Sequence, residues 1–304
     1  MNVSLGLPTH HVGGELATAD GIAEVSVAAE TAGFDAVFVT DHPFPSDRWL
    51  ATGGHHALDP FVALSFAAAA TTRLRLHTNL LVLAYRNPFH SAKAIASLDV
   101  LSNGRVIVGV GAGYLEAEFE ALGVDFDARN DLTDEAIAAM RAAWTGESVA
   151  AAGRGWRAPG NTMQPAPTQQ PGPPIWIGGN SRRAIRRAVE LGDGWMPMPS
   201  PAGSERRLHT PAIASLDEAR AYLNHPVLGP RLTESARVLT EPEQPTASVE
   251  QIFGGIDALK LRSSMTLFAL AAPDEPVFAQ VLDQCFGGVA DEATERLLGD
   301  SDQG

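Results

Sequence analysis

The stretch Leu74–Val110, LRLHTNLLVLAYRNPFHSAKAIASLDVLSNGRVIVGV, decides the fold. Leu74 to Leu83 reads as a strand, interrupted by polar residues and ending in the apolar run Leu80 to Leu83. Asn87-Pro88 then supplies an N-cap and a first helical position, and the helix ends near Leu101, before Ser102-Asn103-Gly104. Arg105 to Val110 is a second apolar strand. Strand, helix, strand within so few residues is the βαβ unit, whose crossover is right-handed.

Outward from this unit the same cycle recurs. Val3 to Pro8 reads as a strand and Ala19 to Ala32 as a helix, with Ile22, Val25, Ala29 and Ala32 on one face before Gly33. Ala36 to Thr40, AVFVT, is a buried strand, and Asp59-Pro60 opens a helix running to about Thr72. Downstream, Asp131 to Trp144 is a helix, Ile175 to Ile177 a strand, Arg182 to Leu191 a helix and Gly194 to Met198 a strand. The alternation predicts an α/β fold built on a parallel sheet, as a closed barrel or an open doubly wound sheet, and the 304 residues suit one (β/α)8 TIM barrel over 1–304.

Two segments break the rhythm. Glu147 to Pro174, after the fourth helix, carries six prolines beyond Arg157 and reads as a surface insertion, since interior prolines forbid a regular helix. Ser200 to Pro245 is broken by Pro226, Pro230, Pro242 and Pro245, which makes the C-terminal third irregular. Within that third, Ala236 to Leu239 is a weak seventh strand and Val249 to Leu259 a helix. Met265 to Ala271 is the eighth strand, and Val277 to Leu298 the closing helical segment.

Composition narrows the class. Net charge is −14 and no basic run offsets it, so nucleic acid is not an expected partner. No stretch is long and apolar enough to span a membrane, and the opening MNVSLGLP lacks the basic and apolar regions of a signal peptide. The single cysteine, Cys285, reads as a small buried hydrophobe and permits no intrachain disulfide; a cytoplasmic location is expected. His10-His11 and His55-His56 are adjacent pairs that point apart, H-E-x-x-H and cysteine clusters are absent, and no metal is expected.

In parallel α/β folds chemistry gathers past the C-terminal strand ends. Asp41-His42 follows AVFVT, which suits proton transfer or cofactor binding, or else a turn cap and a packed ring. Thr78-Asn79 interrupts an apolar strand, as a bulge beside a ligand or as a satisfied polar pair. Gly109-Val110-Gly111-Ala112-Gly113-Tyr114 brings backbone close to a ligand, although Tyr114 stands where a dinucleotide fingerprint needs glycine. Ile177-Gly178-Gly179-Asn180-Ser181 leads straight into a helix. The N–H groups of Gly179, Asn180 and Ser181 there form an anion site suited to phosphate, with Arg182, Arg183, Arg186 and Arg187 adding positive charge. The alternative is a plain left-handed turn before a solvated basic face.

Three stretches together resemble the luciferase-like monooxygenase superfamily, F420-dependent oxidoreductase branch: FDAVFVTDHPF, LHTNLLVLAYRNPFHSAKAIASLDVLSNGRVIVGVGAGYLEAEFEALG and PPIWIGGNSRRAIRRAVELGDGWMP. The likeness covers residues 1–200 well and the remainder poorly. It implies that Asp41 and His42 are catalytic, with His42 the acid/base beside the deazaflavin ring. It implies that Thr78, Asn79 and Leu80 form a bulge with a cis Asn79–Leu80 peptide behind that ring. Gly111, Gly113 and Tyr114 would line the ring or ribityl chain, and Gly178, Gly179, Asn180 and Ser181 would hold the phosphate. Tyr114 stands where sugar-phosphate dehydrogenases of this superfamily carry a catalytic Glu, so sugar-phosphate oxidation is not expected; Glu116 and Glu118, at the start of a helix, are weak substitutes. The resemblance implies coenzyme F420, with FMN and a two-component monooxygenase as the alternative, a small-molecule substrate and a homodimer. A cofactor-free binding or accessory protein is the reading from another class.

Overall fold

A computed structural model of the chain describes residues 3–9, 14, 16–196 and 267–269. Its elements alternate as the apolar runs predict. β1 (Val3–Gly6), α1 (Ala19–Thr31), β2 (Ala36–Val39), α2 (Asp47–Leu50), α3 (Pro60–Ala70) and β3 (Arg75–Val82) come first. A 3-10 turn (Leu83–Tyr85) follows, then α4 (Pro88–Leu101), β4 (Val106–Gly111), α5 (Glu116–Ala121) and α6 (Arg129–Trp144). β5 (Val149–Gly153), β6 (Trp156–Asn161), β7 (Ile175–Gly178), α7 (Arg182–Glu190), β8 (Gly194–Met196) and β9 (Leu267–Ala269) complete the described order.

One sheet has the order β8-β7-β4-β3-β2-β1-β9. From β1 to β8 every neighbouring pair is parallel. β2, β4 and β7 are buried along their whole length, which is why their sequences are continuous apolar runs. Helices start where the sequence places short polar caps. Asp59 accepts the N–H groups of Phe61 and Val62, Asn87 that of Phe89 and Ser181 that of Ala184. The core lies between sheet and helices, with Trp144 of α6 fully buried and its indole N–H donated to the Ala92 carbonyl at 3.1 Å. No helix among the described residues is long and apolar enough to cross a membrane.

One expectation is corrected. Met265 to Ala271 was expected as a parallel strand closing the barrel; the strand present, β9, pairs antiparallel with β1, Ser4 opposite Phe268. A short apolar run satisfies an exposed strand edge in either direction, because direction is set by the connection and not by composition. The described sheet is thus six parallel strands with one antiparallel edge. The expected segments Ala236–Leu239, Val249–Leu259 and Val277–Leu298 lie outside the described residues. The proline-rich insertion, expected not to be helical, contains a two-stranded antiparallel sheet, β5 with β6.

Candidate active site

The parallel strands carry the expected residues to their C-terminal ends. At the tip of β2, Asp41 is buried and fully engaged. Its Oδ2 accepts the Val82 N–H at 3.0 Å and an Arg86 Nη1 bond at 2.5 Å, and its Oδ1 accepts Arg86 Nη2 at 2.8 Å. Arg86 also reaches Asp59 at 3.3 Å. Burial alone would lower the guanidinium pKa; the hydrogen bonds and charges of Asp41 and Asp59 outweigh it and raise it, so this pair is permanent.

His42 is wired differently. Its ring packs against Trp49 of α2 at 4.7 Å between centroids and edge-on to His55 at 5.0 Å. Its Nδ1 is buried without a hydrogen-bond partner, 3.5 Å from Oε2 of Glu118. Glu118, in the first turns of α5, is only 1% exposed. Its Oε1 accepts the Phe44 N–H and its Oε2 accepts the Tyr85 hydroxyl, each at 2.9 Å. Burial, then the charge and hydrogen bond of Glu118, push the Tyr85 phenol far above its ordinary range, so Tyr85 remains a donor. Burial is also the first reason that the His55 imidazole titrates below its ordinary value, with His42 adding to it.

At β3 the pairing with β4 shifts between Thr78 and Leu81, and the Asn79–Leu80 peptide is cis. The expected bulge is therefore present. Thr78 is buried and donates its hydroxyl to the Gly109 carbonyl at 2.9 Å. Asn79 and Leu80 are half-buried. Leu80 explains two of the glycines: a Cβ on Gly178 would lie 2.5 Å from Leu80 Cδ1, and one on Gly111 would lie 2.9 Å from it. Residues from β3, β4 and β7 thus meet at one side chain. Gly113 abuts Phe119 and Val82, and Tyr114 is half-buried beside it. Below the bulge, His77 is fully buried between Phe38 and Trp176, with neither ring nitrogen hydrogen-bonded. Burial, aided by the charge of Arg75, pushes its pKa down to about 3.

The turn after β7 is held from below. Gly179 adopts φ +107°, a conformation that favours glycine. Its N–H donates to the Met196 carbonyl at 3.3 Å, and its carbonyl accepts the Trp195 indole N–H at 2.9 Å. Asn180 is buried. Ser181 caps α7 by accepting the Ala184 N–H at 3.1 Å, which leaves the N–H groups of Arg182 and Arg183 in the first helical turn for an anion. The basic side chains do not gather there as expected. Arg183 binds Asp131 and Asp134 of α6, and the buried Arg187 binds Asp134 and the Asn130 carbonyl. Arg182 and Arg186 are exposed. An anion at this turn relies on backbone donors.

Sequence reasoning undervalued Glu118 and left out Arg86. The one local signal for Glu118 is its place beside Phe119, the buried aromatic of α5.

Residues 1–240 match the family model described as luciferase-like monooxygenase. The chain belongs to that family. A second family model, a protein of unknown function, matches residues 196–298. Among curated relatives of this luciferase-like chain is an F420-dependent glucose-6-phosphate dehydrogenase of Beutenbergia cavernae, 38% identical over 198 residues, covering 62% of this chain and 56% of the relative. Another is the oxygenase component of a flavin-dependent trigonelline monooxygenase of Acinetobacter baylyi, 32% identical over 162 residues, covering 51% and 45%. The chain therefore spans about half the length of these relatives. Among solved structures, monooxygenase RslO1 from Streptomyces bottropensis shares the fold, with a TM-score of 0.61, 24% identity and coverage of 93% and 83%.

Proposed function

We propose that this luciferase-like protein is an F420-dependent oxidoreductase that exchanges a hydride with a small organic substrate, with His42 as the acid/base. The observation that carries this reading is His42 itself: a histidine at a strand tip, walled by Trp49 and His55, with an unmet buried Nδ1 facing a carboxylate.

The residues present fit such a cofactor. Thr40 Oγ1 at the β2 tip is buried and without a partner, as is Thr9 Oγ1 beyond β1. Orphaned polar atoms at a ligand rim are ones a bound group can satisfy. The backbone N–H groups of Arg182 and Arg183 in the first turn of α7 would hold a phosphate, at a turn that Gly179 shapes while its own N–H is given to Met196. Asn79 and Leu80, presented by the bulge, would back a flat ring. When bound, the deazaflavin supplies the hydride chemistry. The protein's part is to orient, exclude water and move a proton at His42 Nε2. The 38% identity to an F420-dependent enzyme supports F420. Tyr114, replacing a glutamate that the resemblance assigns to sugar-phosphate oxidation, directs the substrate search to carbonyls, imines and enones.

A second reading, an FMN-dependent monooxygenase working with a reductase, is favoured by the identity to a flavin-dependent oxygenase component. A turnover assay tests the proposal: with reduced F420 and a panel of enones and carbonyls, the wild-type protein reduces at least one class. His42→Ala lowers kcat by about 100-fold or more. An unchanged rate in that variant removes His42 from the chemistry.

A further inference from the structure

We propose that Glu118 is the positioning residue for His42: its carboxylate accepts a hydrogen bond from the Nδ1–H of the imidazole and so presents Nε2 to the substrate as the acid. The acid role of His42 rests on the proposed function; the Glu118–His42 coupling does not.

Glu118 is a buried carboxylate, and a buried charge persists where a cation or several donors compensate it. It has two neutral donors, the Phe44 N–H and the Tyr85 hydroxyl. Among the described residues no arginine or lysine pairs with it. Arg86, which follows Tyr85 in the chain, gives its guanidinium to Asp41 and Asp59. The remaining cation is His42 when protonated. Its Nδ1 lies 3.5 Å from Glu118 Oε2 and has no other partner. That distance is too long for a formed hydrogen bond but well inside Coulombic range, and such contacts tighten when a site is filled. The other titratable groups facing this corner are His55, edge-on to His42, Tyr85, and the Asp41–Arg86 pair. Tyr85 stays a donor and Arg86 is spent on Asp41 and Asp59, so the carboxylate facing the His42 Nδ1 is that of Glu118.

The step balances simply. In carbonyl reduction the substrate carbon would gain a hydride from a bound reduced deazaflavin, which is oxidised by two electrons, and the substrate oxygen would gain the Nε2 proton of the His42 imidazolium. His42 is left neutral with its proton on Nδ1, facing Glu118, which remains a carboxylate throughout.

Long-range proton–nitrogen NMR of the imidazoles of the full chain tests this without cofactor. His42 is assigned by the loss of its signals in His42→Gln, and the exposed His90 serves as a remote reference. In the wild type, neutral His42 is expected as the Nδ1–H tautomer. Glu118→Gln is expected to weaken proton binding at His42 by about tenfold or more, a pH unit downward, while His90 stays put. Equal His42 titration in both proteins, or a neutral Nε2–H tautomer in the wild type, overturns the proposal. Should Glu118→Gln fail to fold, the wild-type tautomer decides alone. A chain that shows the coupling but no turnover with any cofactor refutes the proposed function and leaves the pair standing.

Discussion

Asp41 ends β2, Glu118 lies in α5, and each buries its carboxylate almost completely in the same corner of the protein. Asp41 meets a guanidinium in a two-pronged contact and a backbone N–H, so both of its oxygens are engaged. Glu118 meets a backbone N–H and a phenol, and looks across 3.5 Å at an imidazole nitrogen without a partner. The difference separates structure from chemistry. A carboxylate closed by arginine is held as an ion pair, because arginine does not surrender its proton. A carboxylate completed by histidine can take part in proton traffic near neutrality.

The contrast breaks first at Asp41. Asp41→Ala leaves a largely buried Arg86 with only the longer contact to the exposed Asp59 and is expected to cost about 3–5 kcal/mol in a denaturant titration, as removal of one member of a buried pair does. A loss below about 1 kcal/mol would make Asp41 something other than a structural clamp.

The next largest effect belongs to a histidine without a carboxylate. His77 is neutral in the folded chain because its pKa is pushed down to about 3 by burial, whereas in the unfolded chain it titrates near 6.5. The unfolded state therefore binds more protons below pH 6.5. The stability this group contributes is full above that pH and is lost as the pH falls toward 3, by about 1.4 kcal/mol per unit. His77→Leu should flatten that acid arm between pH 6.5 and 4.5 by roughly 2–3 kcal/mol. Parallel stability-against-pH curves for the two proteins would show that His77 is not a buried neutral base.

Glu118→Gln sharpens the comparison by its smallness. Glutamine still accepts the Phe44 N–H, and the Tyr85 hydroxyl can rotate to accept from the amide, so thermal unfolding should register a change within about 1 kcal/mol. A loss as large as that of Asp41→Ala would put both carboxylates in the same structural class. Smallest of all is Arg183→Gln. Its guanidinium is half-exposed and spent on Asp131 and Asp134, so cofactor affinity is expected to stay unchanged in a binding titration. Weakened binding would return the basic side chains to the phosphate site.

These residues also mark how far the sequence alone could be read. The parallel strands were legible because strands buried on both faces are written as unbroken apolar runs, and the helix starts because Asp59-Pro60, Asn87-Pro88 and Ser181 are local capping signals. The bulge came from resemblance, with Thr78-Asn79 as its local trace. What was not legible depends on distant partners. Glu118 is buried by Phe44 and Tyr85, which lie 74 and 33 positions away, and Arg187 by Asp134, 53 positions away. The hairpin was hidden because Val149-Ala150-Ala151-Ala152 has little strand character; Trp156, packed over Gly153 and edge-on to Phe89, secures it. The direction of β9 belongs to the chain connection and has no signature in three residues.

The central claim is that the strand tips hold a deazaflavin with its phosphate on the turn at Gly179. It is tested most directly by equilibrium titration of the full chain with F420 and with FMN, each oxidised and reduced. Gly179→Asp and Gly179→Asn serve as paired variants. Both place a side chain on the same left-handed backbone, which asparagine and aspartate tolerate better than most residues, and they differ in one negative charge. The account predicts tight F420 and weak FMN binding in the wild type, binding abolished by the aspartate and partly kept by the asparagine. Preferential FMN binding, binding of neither cofactor, or normal affinity in Gly179→Asp would contradict it.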